Sequence, residues 1–160
     1  MSAVSDPYDL SDVEPELPAD AAAVEALVLS AFGPGRFSKT AERLREGGTV
    51  AAGFVSREDG KVVGSVRLWR IVVGETPALF LGPIAVDRHY RKEGLGAALV
   101  ESCLNIARSQ GLGVLLVGDE PYFGRFGFGV VSGVALPGPA DRRRVLWWGE
   151  NPPCGPVARG

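Results

Sequence analysis

Residues 78–119 read ALFLGPIAVDRHYRKEGLGAALVESCLNIARSQGLGVLLVGD: an apolar run, a charged loop, a helical stretch and a second apolar run. The first run, ALFLGPIAVD, is almost continuously apolar, the pattern of a strand buried on both faces. Gly82-Pro83 interrupts it near its middle. Proline offers no N–H to a ladder, so a bulge or splay is expected beside it. From Gly94 to Gln110 the periodicity becomes helical, with Leu95, Leu99, Cys103 and Ile106 on one stripe, and Gly111 and Gly113 stop it. GVLLVGD supplies another buried strand. A strand, a helix and a strand in this order form a parallel or crossover pair.

Outward from this unit, TVAAGFVSR and KVVGSVRLWRIVVG flank Asp59-Gly60, and Val62, Val66 and Leu68 alternate against Arg67 and Trp69. That is an antiparallel hairpin. Earlier, AAAVEALVLSAF places Val24, Leu27, Val28 and Phe32 at helical spacing behind a candidate cap, Asp20. FGPGRF at 32–37 breaks that helix, and Ser38 caps a short second one, KTAERLREG. Downstream, EPYFGRF reads as one or two helical turns. GFGVVSGVAL and RRVLWWGE read as a closing hairpin in which Trp147 and Trp148 take opposite faces, and Arg142-Arg143-Arg144 as a solvated turn. Residues 1–10 and 150–160 read as irregular tails. The expectation is a single domain over 1–160 of the α/β (α+β) class, with a mixed, mostly antiparallel central sheet and flanking helices.

Composition removes several functional classes. Of the 160 residues 46% are hydrophobic, too many for a disordered chain, and 22 glycines with 12 prolines stay below the roughly 25–30% that signals low complexity. Seventeen basic against nineteen acidic residues give a net charge of −2, which offers no general attraction to nucleic acid or an anionic membrane. Two cysteines, Cys103 and Cys154, and one histidine, His89, suit neither a disulfide framework nor a multi-histidine metal centre. No apolar run approaches the ~20 residues that span a bilayer, and the first residues lack the basic-then-apolar order of a signal peptide. A cytoplasmic location with no membrane partner and no metal is expected.

The chemistry is written at the junction of strand, loop and long helix. A helix N-terminus presents free backbone N–H groups and roughly half a positive charge, and Arg88, His89, Arg91 and Lys92 crowd that end. A phosphorylated ligand is the natural occupant. The dinucleotide fingerprint G-x-G-x-x-G fails, because Gly94-Leu95-Gly96 follows a six-residue loop and the third glycine position is Leu99. No P-loop run exists. What fits is R-x-x-G-x-G, here Arg91-Lys92-Glu93-Gly94-Leu95-Gly96, directly after Ile84-Ala85-Val86.

With that motif the chain resembles the GNAT superfamily of N-acetyltransferases. The match continues through VLLVGDEPYFGRFGF, over roughly residues 78–130, and is similar to the YhbS-type subgroup. The resemblance implies a GNAT acyl-CoA N-acyltransferase fold with strands splayed at the cofactor site, and acetyl-CoA (coenzyme A) as co-substrate. Gly94 and Gly96 would admit the pyrophosphate to the backbone, with Arg91, Lys92, Glu93, Leu95 and Ala97 around it. The pantetheine amides would pair with Ile84 and Val86 as an added strand. Direct attack by a neutral amine on the thioester is implied, with an N–H near Ile84 or Ala85 stabilising the oxyanion.

Family members often place a tyrosine four residues before the glycine of the final Gly-Phe pair, to protonate the departing thiolate. Here the pair is Gly127-Phe128 and the position is Phe123, which would line the cofactor site. Tyr122 is adjacent, but one helical step turns a side chain by ~100°. Tyr122 is the candidate acid, and Asp119, with Glu120 beside it, the candidate base acting through water. A lysine-like amine of pKa ~10.4 is neutral in about one molecule in 2,500 at pH 7, a deficit of roughly 4.6 kcal/mol, against about 1.4 for an α-amine near pKa ~8. A weakly supplied base favours a small-molecule amine or a free α-amine as acceptor. Phe32, Arg36 and Phe37 are the candidate acceptor contacts, and His89 reads as a loop residue. A non-catalytic acyl-CoA-binding module is the alternative, and a homodimer is compatible with either.

Overall fold

The computed structural model describes residues 12–32, 48–90, 94–138 and 141–160. In chain order these give β1 (Glu14–Pro15), α1 (Ala21–Phe32), β2 (Val50–Glu58), β3 (Lys61–Val73), β4 (Thr76–Val86), α2 (Leu95–Gln110), β5 (Val114–Val117), α3 (Glu120–Phe123), β6 (Gly129–Val130), β7 (Val134–Ala135), β8 (Val145–Trp148) and β9 (Gly155–Arg159). The sheet runs β1-β2-β3-β4-β5-β8-β6. It is antiparallel except where β4 meets β5 and β7 meets β9, as the sequence pattern predicts for a mixed sheet. The predicted second helix, opened by Ser38, lies outside the described residues, as do Arg36, Phe37 and the segment 1–10.

Among the described residues each face of the sheet takes one long helix. α2 lays Leu99, Cys103, Leu104 and Ala107 onto Val66, Leu68, Leu79 and Leu81, all buried, each large aliphatic contributing about 1.5–3 kcal/mol over its exposed state. Gly64 lets this helix start close to the sheet. A Cβ there would lie 2.9 Å from Leu95 Cδ2 and 3.2 Å from Leu99 Cδ1. On the other face α1 buries Val24, Leu27 and Val28 against Val55, Val62 and Ala85. Beyond it a second cluster gathers Trp69, Ile71, Val73, Phe80, Leu115 and Trp147. The two tryptophans divide as expected: Trp147 is core, while Trp148 is half-buried with the Arg108 guanidinium 5.3 Å from its ring centroid.

Three expectations need correction. Residues 155–159 are a strand and not an irregular tail. β3 is 13 residues long and β2 covers it only to Trp69, so Ile71 to Val73 would be left as a bare edge; β9 pairs there instead, with Val157 opposite Val73 and buried beside it. Edge exposure of that kind is a liability that pairing removes. Secondly, Asp20 does not cap forward into α1. Its carboxylate accepts the Leu17 N–H at 2.8 Å and pairs with Arg57, which also holds Glu14. A bidentate pair, Arg67 to Glu16 at 2.8 and 3.0 Å, fixes β1 across the hairpin. The closing hairpin is also shorter than expected, for it ends with Val131 N–H donating to Val145 O after the pairing of Gly129 and Val130 with β8, and β7 turns away to β9.

If β9 carries the far end of β3, Val157→Ala costs about 2 kcal/mol in urea unfolding, against less than about 0.5 for a residue in an unpaired tail. The Arg57 guanidinium and the Leu17 amide hold the Asp20 carboxyl below its ordinary range. Its folded pKa is depressed, so the stabilisation is complete above the ordinary carboxylate pKa and is lost as the pH falls through the depressed one. Asp20→Asn should therefore flatten the acid limb of the stability–pH curve, measured by thermal melting between neutral pH and pH ~3, and leave the alkaline limb unchanged.

Candidate functional site

The site begins with a change of register in β4. Leu81 faces Leu68 on β3 and Ile84 faces Val66, so three steps on β4 span two on β3 and Gly82-Pro83 is a bulge opposite Arg67. The Gly82–Pro83 peptide is cis and Gly82 has φ +143°. Two hydrogen bonds show what the extra residue does. Before it, Leu79 N–H donates to Gly113 O, toward β5; after it, Asp87 N–H donates to Val63 O, toward β3. Because alternate residues in a strand turn their backbone groups to the same edge, odd-numbered amides face β5 before the bulge and β3 after it. The N–H and C=O groups of Ile84 and Val86 therefore face the β5 side.

On that side no strand among the described residues meets them. β4 and β5 pair only at Leu79–Val114 and Phe80–Leu115, and from there β5 pairs with β8 on its other edge. Gly118 N–H donates to Arg144 O on the β8 side, so by the same alternation Val117 turns its backbone into the gap. Two parallel strands thus open into a wedge lined by unpaired peptide groups, the splay expected from Pro83. Buried or half-buried backbone groups of this kind demand a partner.

At the mouth of the wedge stands α2. Gly94, with φ +85°, is its N-cap, a conformation that L side chains rarely adopt, and no side chain caps the helix. The first α-helical bond is Ala98 N–H to Gly94 O, which leaves the amides of Leu95, Gly96 and Ala97 without helical partners. The space beside Gly94 is open. On the opposite wall, α3 brings Tyr122 to the same place: a Cβ at Gly96 would sit 3.2 Å from the Tyr122 hydroxyl. The Tyr122 ring is braced by Phe123 and Phe126 and covered by the Arg125 guanidinium, 4.3 Å from its centroid. Ile84, Val86, Tyr90, Tyr122 and Phe123 all pack against the cluster containing Leu95 and Ala97.

Most of the expected residues are thereby brought together. Ile84, Val86, Gly94, Leu95, Gly96, Ala97 and Tyr122 surround one wedge; Arg91, Lys92 and Glu93 lie outside the described residues. Ala85 does not join them. It pairs with Ser65 on β3, and its side chain is buried under α1, which removes it as a donor to the gap. Phe123 packs inward on Phe128 and beneath Gly118, where a Cβ would meet its ring at 2.6 Å. Asp119 is exposed at the end of β5 and makes no side-chain capping bond to α3. His89 is exposed, and its N–H donates to Asp87, whose carboxyl is held below its usual range by that bond and by Lys61. Three contributors carried no sequence signal: the gap-facing backbone of Val117, the Arg125 guanidinium over Tyr122, and Trp69, whose indole N–H donates to Gly82 O at 2.7 Å. Among the described residues no group of three or more His, Cys, Asp or Glu could hold a metal ion, and no helix is long and apolar enough to cross a membrane.

The model of the acetyltransferase (GNAT) family matches residues 22–128. The chain belongs to that family. It is 34% identical over 117 residues to the N-acetyltransferase YhbS of Escherichia coli K12, covering 71% of this chain and 70% of that protein. The crystal structure of E. coli YhbS in complex with CoA is similar with a TM-score of 0.79 and 28% identity, covering 98% of this chain and 93% of that one. A GNAT acetyltransferase from Brucella melitensis in complex with acetyl-CoA is similar with a TM-score of 0.72 and 27% identity over 92% of this chain and 94% of that one. The protein is thus an acyl-CoA-dependent N-acyltransferase of GNAT type with the family's mixed sheet and flanking helices.

As the Tyr122 hydroxyl has no hydrogen-bond partner among the described residues, Tyr122→Phe should change the unfolding free energy by less than about 0.5 kcal/mol. A loss of activity in that variant then reports chemistry or ligand contact, not folding.

Proposed function

We propose that the protein transfers an acetyl group from acetyl-CoA to the primary amine of a small molecule or a free α-amine by direct attack. The observation that carries the reading is the wedge itself, in which unpaired amides of Ile84 and Val86 adjoin an uncapped helix start at Leu95, Gly96 and Ala97. Those helix amides suit a diphosphate, and Arg91, Lys92 and Glu93 directly precede them in the sequence. The strand amides suit the two amides of a pantetheine arm, as an added strand would.

In the reaction the amine nitrogen forms a bond to the thioester carbon, the carbonyl electrons move onto oxygen, and a gap-facing N–H at Ile84 stabilises that charge. The C–S bond then breaks. Tyr122 supplies a proton to the departing thiolate, and Asp119 takes the surplus amine proton through water. Phe123 cannot donate a proton and serves as packing behind Tyr122.

Gly94→Glu places bulk and negative charge at the diphosphate seat and imposes a strained φ. Acetyl-CoA should raise the melting temperature of the wild type and leave that of Gly94→Glu unmoved; equal shifts in both overturn the assignment. Mass-spectrometric screening of amines with acetyl-CoA identifies the acceptor, and saturable binding without thiol release across a broad panel would make the protein a binding module.

A further inference from the structure

Two indole N–H groups are buried in one cluster, and they differ. That of Trp147 has no hydrogen-bond partner, while that of Trp69 donates to the carbonyl of Gly82, 13 residues away, at 2.7 Å. Gly82 O belongs to the one peptide of the bulge that carries an acceptor and no donor, because residue 83 is proline. A peptide of that kind beside a developing oxyanion acts by orientation alone: turned toward the gap, its carbonyl dipole opposes the new charge. Trp69 lies on the strand facing the bulge, two residues from Arg67, and belongs to the cluster of Phe80 and Leu115, the last residues at which β4 and β5 remain paired.

We propose that Trp69 is a positioning residue for acyl transfer. Its N–H ties the Gly82 carbonyl into the core, so that this carbonyl does not oppose the thioester oxygen where the gap presents the N–H groups of Ile84 and Val86. This rests on the acyl-transfer reading above and adds to it the group that sets the polarity of the site. Trp69 touches neither substrate nor cofactor in this account; it acts through the bulge.

The test compares Trp69→Phe with Trp147→Phe. Both remove an indole from the same cluster, yet only the first removes a hydrogen bond. For Trp69→Phe, kcat should fall about tenfold, the value of one hydrogen bond of ordinary strength, while KM for acetyl-CoA stays within about twofold. Trp147→Phe should keep both constants. The carbonyl stretch of isotope-labelled acetyl-CoA bound to each protein gives a readout that needs no acceptor: it should shift toward the free-ligand frequency only in Trp69→Phe. If that variant fails to fold, 3-benzothienylalanine at position 69 keeps the shape of the indole and removes its N–H. An unchanged kcat and carbonyl frequency overturn the proposal, as does a loss of activity that tracks melting temperature equally in the two variants. Failure of the underlying reading is visible separately, as absence of acetyl-CoA binding by the wild type.

Discussion

A single surplus residue in β4 decides which backbone groups the open end of the sheet offers. A strand hydrogen-bonded on both edges has no groups to offer a ligand, and β4 is such a strand at Leu79 and Phe80. The bulge at Gly82-Pro83 changes the parity of its backbone, and the end of the pairing with β5 leaves the new parity unanswered. Had β4 continued in register, the amides of Leu81 and its odd-numbered successors would face β5, and Ile84 and Val86 would be spent on β3. The wedge is therefore not merely a place where two strands part. It is a place where the parting exposes a defined set of donors and acceptors.

The remainder of the fold holds that wedge open from outside. β5 is kept from closing onto β4 by its pairing with β8 along Val114 to Val117, the whole length of the strand. α2 is brought down on the sheet at Gly64, which fixes where its uncapped amides emerge. On the distant side β9 pairs with the overhanging end of β3, so the long strand that carries Trp69 and faces the bulge is paired along both edges there. The electrostatic pairs Arg57 with Glu14 and Asp20, and Arg67 with Glu16, pin the chain ahead of α1 across the same hairpin.

Periodicity and turn chemistry made much of this legible in the sequence. The Asp59-Gly60 hairpin, the buried run around Pro83 and the helix between Gly94 and Gly111 are local patterns, and local patterns survive in the structure. Pro83 announced the splay because a missing donor is visible in the sequence. What stayed hidden depends on register. Nothing in ENPPCGPVARG shows that Val157 will sit opposite Val73, since the vacancy it fills arises from the unequal lengths of β2 and β3. Ala85 looked equivalent to Ile84 until the parity of the bulge separated them. Asp20 looked like a forward cap because propensity carries no information about Arg57, 37 residues away.

The distribution of carboxylates bears on which amines such a site can use. Near the open ends of β4 and β5 the described residues offer Asp87, Asp119 and Glu120. Asp87 is committed, accepting the His89 amide and pairing with Lys61, and those contacts favour its ionised form while occupying its oxygens. Glu16, across the bulge, is locked in a bidentate pair with Arg67. That leaves Asp119, which makes no capping bond, and its exposed neighbour Glu120. An exposed carboxylate is a weak base for an alkylammonium, whose proton is held some six pKa units more tightly. It is an adequate relay for an amine that is already substantially neutral. On the proposed direct attack, catalysis in such a wedge would rest on oriented dipoles and on the acceptor's own basicity, which would favour amines of low pKa.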